Sequence, residues 1–146
     1  MCGISGYIGK ETLGQPTISQ TLGLMRNRGP DHQDYRYIVQ NGTNIYLLHS
    51  RLSIIDLDKR SNQPYTLDNC TLIFNGEIYN YIELREGLKK QGIECITTSD
   101  TEVLLRYYLV HGEDCVKYFE GMWAFAIYDK RDNKLFLSRD RFAEKP

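Results

Sequence analysis

The chain opens Met1-Cys2-Gly3-Ile4-Ser5-Gly6-Tyr7-Ile8-Gly9, a short strand that begins almost at the terminus and carries a cysteine at position 2. Glycine at positions 3, 6 and 9 lets another backbone come close to residues 4–8, so this end is expected inside the core. Met1 precedes a side chain small enough for ordinary initiator removal, which would leave Cys2 with both a thiol and a free α-amine. A thiol titrating near about 8.5 is only a few per cent ionised at neutral pH, and an amine titrating near about 7.7 to 8.0 can take its proton directly or through one water. Nucleophile and base then belong to one residue. A cysteine at position 2 also arises by accident, so its weight depends on what the remaining residues add.

Outward from this strand, Ile18, Leu22 and Met25 fall at helical spacing, and Gly29-Pro30 stops that helix inside the turn of residues 26–31. Residues 35–39 and 44–49 flank Asn41-Gly42, a hairpin signal, and residues 52–56 read as a further extended segment. Residues 72–74 form a buried strand running into Asn75-Gly76. A helix over 81–90 follows, with Asn80 as N-cap and Gly92 just past its end. Ser99-Asp100-Thr101-Glu102 has capping-box spacing and opens a second helix through Leu104, Leu105 and Tyr108 to Gly112. Residues 122–129 and 134–140 make a closing hairpin. Strands dominate and two helices sit consecutively in the middle, so the pattern is α+β with mostly antiparallel sheet.

The 146 residues, 41% hydrophobic, are enough for one soluble globular unit with a real core. Eighteen basic residues against nineteen acidic ones, with no long run of either sign, leave no electrostatic footprint for nucleic acid or an anionic membrane. Cys2, Cys70, Cys95 and Cys115 are widely spaced and no secretory segment follows Met1. That argues against a zinc site or a disulfide framework and for a reducing cytoplasm, with Cys70, Cys95 and Cys115 as small buried apolar residues.

Four positions could carry chemistry beside Cys2. Asn75 and Gly76 place an amide side chain next to a glycine N–H, two neutral donors that could converge on the oxyanion of acyl transfer; the same pair is also an ordinary strand-ending turn. Arg51 lies between apolar residues, as either a snorkelling surface group or a bidentate clamp for a carboxylate. Asp100 suits the first turn of a helix through the macrodipole alone, or it faces a pocket as the partner of a substrate ammonium. Together Arg51 and Asp100 would grip an α-amino acid at both ends. His49 alternates with Tyr46, Leu48 and Ser50 to the opposite face and reads as structural, while His32 sits in a turn and His111 at a helix end. A Cys-His dyad has no local signature.

Taken in order, Met1-Cys-Gly-Ile4, Arg28-Gly-Pro-Asp31, Arg51-Leu-Ser-Ile-Ile-Asp56, Asn75-Gly-Glu-Ile-Tyr-Asn80, Ser99-Asp-Thr-Glu-Val103, Gly121-Met-Trp-Ala-Phe-Ala126 and Ser138-Arg-Asp-Arg141 resemble the glutaminase domain of class II glutamine amidotransferases. These are N-terminal nucleophile hydrolases, and the match is to their glutamine-dependent asparagine synthetase group. The resemblance implies a four-layer αββα sandwich. It implies Cys2 as nucleophile and Asn75 and Gly76 as oxyanion hole. Arg51 would bind the glutamine α-carboxylate, and Glu77 and Asp100 would contact its amide and amino ends. Backbone atoms of Leu52, Ser53, Ile54 and Ile55 would line the pocket.

No metal or organic cofactor is expected for this domain. ATP and Mg are expected only in a synthetase domain, which the chain does not contain, and a homodimer is expected only for the full-length enzyme. The released ammonia would serve an ATP-dependent amidation such as asparagine synthesis; the alternative is a catalytically silent structural or assembly module. Family members carry Gly where this chain has Ala143, so a positive φ there would strain the turn. They also continue past Lys-Pro with further strands, so the chain reads as an incomplete glutaminase domain. Its sheet would end on residues 134–140 as an unpaired edge, with apolar surface from 123–127 uncovered.

Overall fold

A computed structural model describes residues 2–145. Strands β1 (Gly3–Gly9), β2 (His32–Gln40) and β3 (Thr43–Arg51) form one sheet in the order β1-β3-β2. Strands β4 (Tyr65–Leu67), β5 (Cys70–Ile78), β6 (Gly121–Asp129) and β7 (Lys134–Arg139) form a second in the order β4-β5-β6-β7, and every pairing is antiparallel. Helix α1 (Gln15–Met25) follows β1, and α2 (Tyr81–Lys90) and α3 (Asp100–His111) follow β5.

The two-residue repeat of the strands sorts the core into three layers of contact. In β3, Tyr46 and Leu48 turn outward to Ile18, Leu22 and Met25 of α1, whereas Ile45 and Leu47 turn inward. They meet Ile73 of β5 and Ala126 and Tyr128 of β6 between the sheets. The opposite face of β5 and β6, Leu72, Phe74, Phe125 and Ile127, packs on Leu84 and Leu88 of α2 and on Leu104, Leu105 and Tyr108 of α3. Helix, sheet, sheet, helix is the αββα order. Burying each of these large side chains contributes roughly 1.5–3 kcal/mol relative to leaving it exposed.

Local chemistry explains the boundaries. Ser99 is the N-cap of α3, its hydroxyl accepting from Thr101 N–H at 3.1 Å. Glu102 does not complete the box but accepts from Ile96 N–H, Thr97 N–H and Arg106. Asn80 is not a side-chain cap of α2: its amide donates to the Tyr118 carbonyl at 2.9 Å and accepts from Glu120 N–H at 3.1 Å. Residues 52–56 are not a strand. They form a loop held by side chains, because no neighbouring strand is in reach to pair with them. Asn75 and Gly76 lie inside β5 rather than in a turn after it, and His32 starts β2 opposite Arg51. The short strand β4 and the 3-10 turns at Lys59–Ser61 and Gly112–Tyr118 have too little periodicity to be read in advance.

β7 is an edge strand as expected. Residues 123–127 are each buried, Trp123, Phe125 and Ile127 in the core against the helices and Ala126 between the sheets, yet Ala124, Phe125 and Ala126 also form part of the wall of an apolar opening. That opening lies between the edges of β1 and β7, a cleft of about 570 Å³ lined also by Ile4, Ile8, Leu47, Ile73 and Leu137.

Candidate active site

Inward-facing residues at one end of the two sheets build the site. Cys2 continues the inward series of Ile4, Arg51 that of Ile45, Leu47 and His49, and Asn75 that of Ile73. All three line one cavity of about 100 Å³, together with Leu52, Ile54, Ile55, Gly76, Glu77 and Asp100. Ser53 alone of the residues singled out in sequence is not on its wall; its N–H is donated outward to Asp31 Oδ2 at 2.7 Å.

Cys2 is half-buried. Its Sγ accepts from Leu52 N–H at 3.4 Å and lies 3.8 Å from the Leu52 carbonyl. Burial pushes its thiol pKa up, partly offset by that N–H and by the charge of Arg51. The thiol therefore needs a base to ionise at neutral pH. The Arg28-Gly-Pro-Asp31 turn fixes this corner: Arg28 Nε donates to the Cys2 carbonyl at 3.1 Å, and Asp31 N–H to the Arg51 carbonyl at 3.0 Å. Gly29 is obligatory, since a Cβ there would overlap the Ser50 carbonyl. Met1 lies outside the described residues, so its removal is not visible.

Asn75 and Gly76 owe their availability to the shortness of β4. In β5 the even-numbered residues direct N–H and C=O away from β6, and Leu72 pairs that way with Tyr65 of β4. Beyond Tyr65 the strand is gone, and side chains take its place. Phe74 N–H donates to Gln63 Oε1 at 2.7 Å, the Phe74 carbonyl meets His49 Nε2 at 3.1 Å, and Ile78 N–H donates to Asp100 Oδ2 at 3.1 Å. Between them Gly76 N–H has no partner among the described residues. A side chain at 76 would collide with the Met122 carbonyl, which keeps this position glycine. Asn75 is 3% exposed, its Oδ1 is buried without a partner, and none of the described residues accepts from its Nδ2.

Arg51 is 5% exposed yet makes no ion pair with any described carboxylate. Its guanidinium holds the loop: Nη1 donates to the Asp58 carbonyl at 3.1 Å and to Asn62 Oδ1 at 2.6 Å, and Nη2 to the carbonyls of Ile55 and Asp56. Neutral acceptors organise this cation without neutralising it. Asp100 is its counterpart, 5% exposed and facing no described cation within salt-bridge distance. Burial pushes its pKa up to about 6, against the Ile78 and Thr101 N–H groups, and Glu77 adds to the rise. A cation without an anion and an acid without a cation on one wall complement a zwitterion.

Two supporting residues were not singled out in the sequence. Gln63 spans the wall, donating Nε2 to Thr101 Oγ1 at 3.3 Å while accepting from Phe74 N–H. Asp56, at φ +51°, accepts from Thr98 N–H at 2.7 Å and so ties the Arg51 loop to the segment presenting Asp100. Burial would raise its pKa, but the donors around its carboxylate hold it at about 2. Glutamine and aspartate in polar loops are too common to single out before their partners are known. No histidine lines the cavity, and among the described residues no group of His, Cys, Asp and Glu is arranged to hold a metal ion. No described helix is long and apolar enough to cross a membrane.

The family model of the glutamine amidotransferase domain matches residues 1–146. A putative glutamine-hydrolysing asparagine synthetase 2 of Methanocaldococcus jannaschii is 40% identical, with 100% of this chain aligned to 31% of that protein. Glutamine-hydrolysing asparagine synthetase 3 of Bacillus subtilis is 39% identical, over 100% of this chain and 24% of its own length. The enzyme of Brassica oleracea so named is 40% identical over 96% and 24%. The chain thus spans between about a quarter and a third of the relatives it matches. With the two-sheet fold and the motif order already described, the conclusion is that this chain belongs to the glutamine amidotransferase domain family.

Proposed function

We propose that the chain hydrolyses the side-chain amide of glutamine to glutamate and ammonia through a thioester on Cys2. The observation that carries this reading is the pairing of two uncompensated buried charges, Arg51 and Asp100, on the wall that also holds the Cys2 thiol and two unpartnered donors. Arg51 takes the α-carboxylate and Asp100 the α-ammonium, with Glu77 at the amide end. Charged and hydrogen-bonded at both ends, the substrate is placed with its amide carbon toward Sγ.

Once Met1 is removed, the α-amine of Cys2 takes the thiol proton and the thiolate attacks the amide carbon. The C=O electron pair moves to oxygen, which receives hydrogen bonds from Asn75 Nδ2 and Gly76 N–H, donors already fixed before charge develops. Collapse expels ammonia as the α-ammonium returns its proton to the leaving nitrogen. A water, deprotonated by the same amine, then cleaves the thioester to give glutamate and the free thiol. His49 does not serve as the base in this scheme, because it is off the cavity wall and its Nε2 faces the Phe74 carbonyl.

The relatives named above are glutamine-hydrolysing asparagine synthetases by name and extend well beyond the matched region. We infer that the ammonia serves an ATP-dependent amidation carried by another part of a longer protein. A silent module would have no need to keep two buried charges unpaired, which favours the catalytic reading. The test is glutamate and ammonia release by protein whose N-terminal mass shows Cys2 exposed. Turnover is expected there and abolished both by Cys2→Ala and by retained Met1; equal turnover by the Met1-bearing form would overturn the mechanism.

A further inference from the structure

We propose that His49 and Gln63 are positioning residues that together stand in for the missing length of β4, holding the Phe74 peptide so that Asn75 and Gly76 aim at the cavity. The inference rests on the glutaminase reading for its kinetic consequence and on hydrogen bonding alone for its structural one. β5 needs a partner on its β4 side at Phe74, Gly76 and Ile78, but β4 begins only at Tyr65, opposite Leu72. Phe74 is 2% exposed, so its backbone groups cannot turn to water. Gln63 Oε1 satisfies its N–H at 2.7 Å and His49 Nε2 its carbonyl at 3.1 Å, one bond to each polar group of the same residue.

The chemistry of the two side chains fits this use. Because a carbonyl only accepts, His49 must carry its proton on Nε2, which leaves Nδ1 as a bare lone pair, matching the absence of any partner for that buried atom. A ring that is fully buried and pulled down to about 4 stays neutral and keeps that tautomer. Gln63 is in turn fixed by donating to Thr101 Oγ1 at 3.3 Å, next to Asp100 on α3. The clamp therefore spans from β3 to α3 across the strand that bears both oxyanion donors. It leaves Gly76 N–H as the member of the series that no side chain takes.

Displacing the Phe74 peptide would misaim both donors while leaving Arg51 and Asp100 in place, so the loss should fall on kcat rather than on KM. In the intact protein with Cys2 exposed, Gln63→Leu and His49→Leu should each lower kcat about 10- to 100-fold with KM changed less than about threefold. His49→Gln, whose amide can still donate to the Phe74 carbonyl, should recover most of the loss. Residue-resolved hydrogen exchange reads the clamp without turnover. Gln63→Leu should lower protection of the Phe74 amide by about tenfold or more while the β6 amides keep theirs. If His49→Leu does not fold, Gln63→Leu and His49→Gln carry the test. Unchanged Phe74 exchange in folded Gln63→Leu, or a loss carried by KM, would overturn the proposal. Absence of glutamine turnover in the parent protein would sink the glutaminase reading instead, with the exchange result still deciding the clamp.

Discussion

The face shared by the two sheets is apolar at one end and polar at the other, and one step of the two-residue repeat separates them. Ile4 gives way to Cys2, Leu47 to His49 and Arg51, and Ile73 to Asn75. At the apolar end Ile45, Ile73, Ala126 and Tyr128 pack on one another, beside the cleft between β1 and β7. At the polar end the ladder has run out: β4 covers Leu72 but not Phe74, and polar side chains satisfy the exposed edge of β5. A sheet interior tolerates buried polar groups where a strand ends, because the unpaired backbone there supplies the partners those groups need.

Truncating the shared face at two positions two residues apart separates its ends most clearly. Asn75→Ala should lower kcat by about 10² to 10³ with a smaller change in KM and little loss of stability, because its bond strengthens only as charge develops on the substrate oxygen. Ile73→Ala should do the reverse, costing about 2–5 kcal/mol of unfolding free energy while kcat per folded molecule holds. Steady-state kinetics and denaturant unfolding on the two variants distinguish them. Matching effects would mean that the two ends of the face are not separate.

A second contrast is between charges that are satisfied and charges that wait. Asp56, surrounded by donors, sits at about 2, whereas Asp100, without a cation, sits at about 6. Asp100 has a folded-state pKa above the unfolded value near 3.9. Its stabilising contribution is therefore complete below about 3.9 and lost as pH rises through about 6, an effect on the order of 3 kcal/mol. Asp100→Asn should remove that pH-dependent loss, seen as wild type falling relative to the variant between pH 4 and 7 in urea unfolding. Glutamine binding to Cys2→Ala protein should weaken as pH drops below about 6, by up to about tenfold per unit, because the ammonium needs the ionised acid. Calorimetry showing no such slope would remove Asp100 from the ammonium site.

Off the shared face is Ala143, at φ +58° in the turn that Asp140 organises through the N–H groups of Phe142, Glu144 and Lys145. The left-handed conformation suits glycine, so Ala143→Gly should stabilise the chain by about 0.5–1 kcal/mol, reduced from the steric gain by the entropy glycine loses on folding. Thermal unfolding should show this small rise with glutamine hydrolysis unaltered. A fall in stability would mean that the turn is not strained.

Much of this protein was legible in order along the chain. The periodicity of Ile18, Leu22 and Met25, the Asn41-Gly42 hairpin, and the Ser99 cap are local signals that survive in the structure because packing reinforces them. The position of Cys2, and seven motifs in order along the chain, pointed to the family and to candidate residues that, Ser53 apart, line one cavity. Tertiary structure decided the rest. That Arg51 and Asp100 lack ionic partners, that Asn75 and Gly76 lie within a strand rather than in a turn, and that Ser53 faces away all depend on which elements meet. The roles of His49, Gln63 and Asp56 come from pairs 25, 11 and 42 residues apart. Sequence determines which groups a chain can offer and how each segment prefers to fold. Only the packed sheets decide which backbone groups are left without a strand, and hence which side chains complete the fold and which stay free for chemistry.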